Sequence, residues 1–144
     1  MKIDFYELAT AQETKSLAAE LAARLSPGDL VLLSGPLGAG KTTFVQGLAA
    51  ALEVEDVVSS PTFVLMAEYI GQVPLLHMDA YRLEDADAEV LTDAGVFDFL
   101  SRNDAIKLIE WPEMLNGWLP EPKMEIELSI LETGGRAIRV LESR

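Results

Sequence analysis

The chain has 144 residues, 49% of them hydrophobic and 24% charged, a balance that suits one folded domain and argues against global disorder. Twenty-four acidic residues against eleven basic ones leave a formal charge of −13, which repels phosphate backbones and anionic lipids at long range and disfavours unaided nucleic-acid binding. There is no cysteine, so a disulfide framework, a thiolate zinc site, an iron–sulfur cluster and a cysteine nucleophile are excluded.

In chain order, Ile3 to Leu8 suggests a short first strand with Ile3 and Phe5 on one face. Thr10-Ala11-Gln12-Glu13 is a capping-box pattern ahead of an apolar stripe at Leu17, Leu21 and Leu25, which predicts an amphipathic helix. Ser26-Pro27-Gly28 ends it. Leu30 to Leu33 is apolar on both faces, as a buried parallel strand requires. A glycine-rich stretch, Gly35 to Gly40, leads into a predicted helix from Lys41 to about Leu52 that carries Phe44, Val45, Leu48 and Leu52 on one side.

Val64 to Ile70 and Val73 to Met78 read as two strands joined through Gly71-Gln72. Glu84 to Ala94 has an acidic helical pattern, and Ala105 to Ile109 is a short apolar run broken only by Lys107. Prolines at 112, 120 and 122 mark irregular chain. Met124, Ile126, Leu128 and Ile130 alternate with polar residues, and Thr133-Gly134-Gly135 turns that strand into a last one carrying Ile138 and Val140. The expected architecture is an α/β, three-layer domain spanning 1–144. Its central sheet is mixed and mostly parallel, and it ends in an antiparallel hairpin. No apolar run approaches the roughly 18 residues of a membrane span. Asp4 and Glu7 fall where a signal peptide needs unbroken apolar sequence. The expectation is therefore a soluble, cytoplasmic protein.

Residues 35 to 42, Gly-Pro-Leu-Gly-Ala-Gly-Lys-Thr, match the phosphate-binding pattern G-x-x-x-x-G-K-[ST]. Glycines admit the dihedrals that turn successive backbone N–H groups toward one anion. The following helix aims the positive end of its dipole at the same point. Lys41 is placed to neutralise terminal phosphate oxygens, and the Thr42 hydroxyl to coordinate Mg²⁺. Asp79 and Glu110 each end an apolar run. If those runs are parallel neighbours of the strand before Gly35, all three features meet on one rim, where α/β sheets bind ligands. Mg²⁺ takes one or two carboxylates plus phosphates and water, and Asp79 and Glu110 compete for that role. His77, the only histidine, is either a proton shuttle beside Asp79 or a packed residue under the strand end.

Four motifs occur together: Gly35 to Thr43; Ser60-Pro61-Thr62-Phe63; His77-Met78-Asp79-Ala80-Tyr81-Arg82; and Ile109-Glu110-Trp111-Pro112-Glu113. As a set, spread over nearly the whole chain, they resemble the TsaE (YjeE) family, the P-loop ATPase of bacterial tRNA threonylcarbamoyladenosine synthesis. The resemblance implies ATP/ADP contacts at Thr10, Gly38, Ala39, Gly40, Lys41, Thr42 and Thr43. It also implies a γ-phosphate-sensing Thr62 and an Arg136 that reaches the adenine side. It gives Mg²⁺ to Thr42 and Glu110, with Asp79 near the metal or the attacking water, and makes Lys41, Asp79 and Glu110 the catalytic set. Met78 stands where many members carry an aromatic residue, a difference expected to alter packing only. TsaD and TsaB would be the partners, and tRNA would be met only through them. Two other readings use the same loop: a small-molecule kinase, or a nucleotide-holding module with little turnover. No arginine cluster of a kinase lid follows the loop, and no N-K-x-D guanine-reading pattern is present.

Overall fold

We describe the protein from a computed structural model, over residues 1–55 and 66–143. Seven strands form a single sheet: β1 (Lys2–Leu8), β2 (Leu30–Ser34), β3 (Met66–Tyr69), β4 (Leu75–Asp79), β5 (Ile106–Glu110), β6 (Met124–Ile130) and β7 (Arg136–Glu142). Their order across the sheet is β1-β7-β6-β2-β5-β4-β3. The four central strands β6, β2, β5 and β4 run parallel, and both flanks are antiparallel. Four helices join them: α1 (Ala11–Ala22), α2 (Lys41–Ala51), α3 (Ala88–Asp93) and α4 (Val96–Ser101).

The sheet is covered on both faces. On one, Leu17, Leu21, Phe44, Val45 and Leu48 from α1 and α2 pack on Val31, Leu33, Leu75, Leu108, Ile126 and Val140. On the other, Leu91, Val96 and Phe99 of α3 and α4 pack on Leu32, Leu76, Met78 and Ile109. The alternation along β2 sends Val31 and Leu33 to one layer and Leu30 and Leu32 to the other, which is why this strand shows no polar side. Met78 is fully buried in the second layer. The predicted three-layer architecture and the C-terminal hairpin, β6 against β7, are both observed.

Thr10 caps α1 as expected. Its side-chain oxygen accepts from the Glu13 N–H at 3.1 Å. The return half of the box differs: the Glu13 carboxylate receives the Thr10 hydroxyl at 3.3 Å. α1 and α2 approach so closely at Gly47 that an added Cβ would lie 2.7 Å from the Lys15 backbone.

In β1, Ile3 and Phe5 share a face as expected; it is the outer one, where they are 47% and 74% exposed, and Tyr6 and Leu8 meet the core. The acidic helix is shorter than 84–94. Asp85 takes a left-handed φ of 58°, and Asp87 caps α3 by accepting from the Val90 N–H at 2.9 Å. α4 was not anticipated. It is a six-residue helix that starts after Gly95, whose φ is 83°. Among the described residues no helix is long and apolar enough to cross a membrane.

Candidate phosphate-binding site

Three parallel neighbours end together. β2 runs into the glycine-rich loop, β5 ends on Glu110 and β4 ends on Asp79. The register pairs Leu33 with Glu110 and Glu110 with Asp79. The condition set by the sequence is met, and the loop and both carboxylates share the carboxyl rim of the sheet.

The loop itself is tightly seated. Gly35 passes so near β6 that a Cβ would lie 2.8 Å from the Leu128 carbonyl oxygen. Gly38 and Gly40 have φ of 82° and 101°, and Gly40 is the left-handed cap of α2. Side chains rarely adopt such angles, so the curve that carries the amides depends on these glycines. The Lys41 ammonium donates to the Gly35 carbonyl at 2.6 Å and lies 4.1 Å from the centre of the Trp111 ring. Trp111 holds a left-handed φ of 56° at the end of β5. That costs a bulky residue on the order of 1–3 kcal/mol and turns the indole onto the lysine. Tyr81 meets the same indole edge-on, with ring centres 5.1 Å apart. The rim thus holds Lys41 between its own loop and an aromatic face, a cation–π contact worth roughly 0.5–2 kcal/mol.

The two carboxylates differ. Asp79 is half-buried, and its Oδ1 accepts the Tyr81 N–H at 2.9 Å, which ties the end of β4 to the turn at Tyr81–Leu83. Glu110 is only 3% exposed, and its Oε2 lies 2.5 Å from His77 Nε2. Thr42, at the first turn of α2, is half-buried. A hydroxyl and two carboxylates are the hard oxygen donors that Mg²⁺ prefers. Among the described residues no group of three His, Cys, Asp or Glu side chains is arranged to hold a metal.

Of the remaining candidates, Arg136 is tied directly to the loop. Arg136 opens β7, pairs with Leu8 at the end of β1, and donates to the carbonyls of Ala39 and Gly38, each at 3.1 Å. The same guanidinium bonds the Gly134 and Gly135 carbonyls of its turn. Thr10 follows the end of β1 by two residues. Thr43 is half-buried on α2. Ser60-Pro61-Thr62-Phe63, and with it Thr62, lies outside the described residues. Arg82 is exposed.

A family model described as threonylcarbamoyl adenosine biosynthesis protein TsaE matches residues 8–138. The chain belongs to the TsaE family. Relatives carrying the name tRNA threonylcarbamoyladenosine biosynthesis protein TsaE include one from Bacillus subtilis, 40% identical over 80% of this chain and 70% of its own. Another, from Treponema pallidum, is 40% identical over 91% of this chain and 95% of its own. A crystal structure of YdiB from Bacillus subtilis superposes with a TM-score of 0.79 at 31% identity, covering 98% of this chain and 86% of that one. Membership in TsaE ties the chain to tRNA threonylcarbamoyladenosine biosynthesis.

Sequence reasoning missed two features of this TsaE site. Glu110 was not matched to His77, because 33 residues separate them and only the strand pairing brings them together. The Trp111 ring over Lys41 depends on one left-handed residue that no periodicity signals.

Proposed function

We propose that this chain is a Mg²⁺-dependent ATPase, slow on its own, that serves as an accessory subunit in threonylcarbamoyl modification of the adenosine beside the anticodon. The observation that carries this reading is the shared rim: a phosphate-loop sequence at the end of β2, with Glu110 and Asp79 ending the next two parallel strands.

In this reading the amides of Gly38, Ala39, Gly40, Lys41, Thr42 and Thr43 surround the phosphates of ATP or ADP. The Lys41 ammonium exchanges the Gly35 carbonyl for phosphate oxygens. Thr42 and Glu110 hold Mg²⁺, with Asp79 beside the ion or the attacking water. When bound, the ion neutralises charge on the phosphate oxygens. Thr10 and Arg136 flank the nucleoside, and Thr62 senses the γ-phosphate. Water attacks the γ-phosphorus, and ADP and phosphate leave.

The charge of −13 supports a division of labour. So acidic a subunit meets tRNA through its partners, TsaD and TsaB, rather than by its own surface. A reconstituted reaction with TsaD, TsaB, tRNA and ATP tests the proposal. Omitting this chain, or supplying Glu110→Ala, is expected to stop multiple rounds of modification and reduce phosphate release. Undiminished modification without the chain would refute the accessory role.

A further inference from the structure

His77 is the one histidine of the chain, and it is 1% exposed. Leu75, His77 and Asp79 alternate along β4 on the face covered by α1 and α2, as Ile106, Leu108 and Glu110 do along β5. His77 pairs in register with Leu108, one step below the rim, so its ring reaches diagonally up to Glu110. Tyr69 of β3 flanks the imidazole, with ring centres 6.3 Å apart.

With an ionised Glu110 and a neutral imidazole, the contact puts the proton on His77 Nε2. This leaves Nδ1 as a bare acceptor, and among the described residues buried Nδ1 has no hydrogen-bond partner. A packing role would not need this arrangement, since an apolar side chain would fill the space without an unmatched polar atom. The ring instead holds one oxygen of a nearly buried carboxylate.

We propose that His77 is a positioning residue that orients Glu110 for a divalent cation. It acts through Glu110 and touches neither nucleotide nor metal. This inference rests on the nucleotide and metal reading given above. Groups that hydrogen-bond a metal ligand typically change metal affinity by about 10–100-fold when removed.

The test uses Mn²⁺ as the probe ion, read by electron paramagnetic resonance, and ADP affinity read by calorimetry in EDTA. His77→Leu is expected to keep ADP affinity in EDTA within about twofold and to weaken Mn²⁺ binding to the ADP-loaded protein by about 10–100-fold. His77→Gln, which keeps an N–H donor at similar reach, is expected to recover most of that loss. Equal Mn²⁺ affinity in wild type and His77→Leu overturns the inference alone. So does a parallel fall of ADP affinity in EDTA, or a folded Gln variant no better than Leu. A wild-type protein that binds no ADP overturns the parent reading as well. Should His77→Leu not fold, the wild type decides. Its single histidine, labelled with ¹⁵N, is expected to show the Nε2-protonated tautomer, and the Nδ1-protonated neutral tautomer would refute the contact.

Discussion

Arg136 reaches from the C-terminal hairpin to the glycine-rich loop and donates its Nε–H to the Ala39 carbonyl, 3.1 Å away. A second donation goes to Gly38. A loop that turns its N–H groups inward turns carbonyls outward, and those need donors of their own. The planar guanidinium serves two adjacent carbonyls at once, which an ammonium cannot do in the same geometry. Arg136→Ala is therefore expected to lower ADP affinity by roughly tenfold, about 1.4 kcal/mol. Arg136→Lys should recover only part of it. Isothermal titration of the two variants checks this; affinity unchanged in both would detach the hairpin from the loop.

Gly47 tests the contact between α1 and α2. By helix propensity alone, alanine would stabilise α2 by about 1 kcal/mol. The added Cβ would meet the Lys15 Cα and carbonyl oxygen at 2.7 Å and the Ala18 Cβ at 3.0 Å. Backbone cannot swing aside as a side chain can, so the helices must part, at a cost of roughly 1–3 kcal/mol or more. Gly47→Ala is expected to lower the urea midpoint with its slope unchanged. A raised midpoint would contradict the packing described here.

Phe44 is fully buried in the same layer. Phe44→Ala is expected to cost about 3–5 kcal/mol in urea unfolding. A loss below ~1 kcal/mol would mean that the layer refills the space, which interiors at crystal-like density rarely do.

Lys107 makes a prediction about pH. It is buried on β5, its ammonium donates to the Leu100 carbonyl at 2.7 Å, and burial lowers its pKa below the usual 10.5. Between the lowered value and 10.5 the unfolded chain holds more protons than the folded one. Stability from this group therefore rises with pH across that window and levels off above it. Relative to Lys107→Met, the wild type should gain urea stability as pH increases toward 10.5. A difference that stays flat, or shrinks, would reverse the sign.

How much of this was legible depended on the range of each interaction. The loop, α2 and the C-terminal hairpin rest on neighbours in sequence, so Gly40, Phe44 and the Thr133-Gly135 turn announced them. The shared rim was legible as a condition: apolar runs ending on Asp79 and Glu110 predict it only if those strands are parallel neighbours. β1 was legible as a strand but not its buried side, because apolar side chains lie on both faces: Ile3 and Phe5 outward, Tyr6 and Leu8 toward the core. α4 escaped because six residues span fewer than two turns, too few to establish a period. The His77–Glu110 contact joins residues on two strands, and nothing local to either encodes it. Lys41 against Trp111 was hidden for the same reason.

The proposed function stands on Lys41 and its loop as the grip on nucleotide phosphate. Calorimetric titration of ADP into wild type and Lys41→Ala, with folding of both verified by thermal melts, tests that most directly. The account predicts one ADP per wild-type chain and a loss of about 100-fold or more in the variant, roughly 2.7 kcal/mol. Equal affinity in two folded proteins would contradict it.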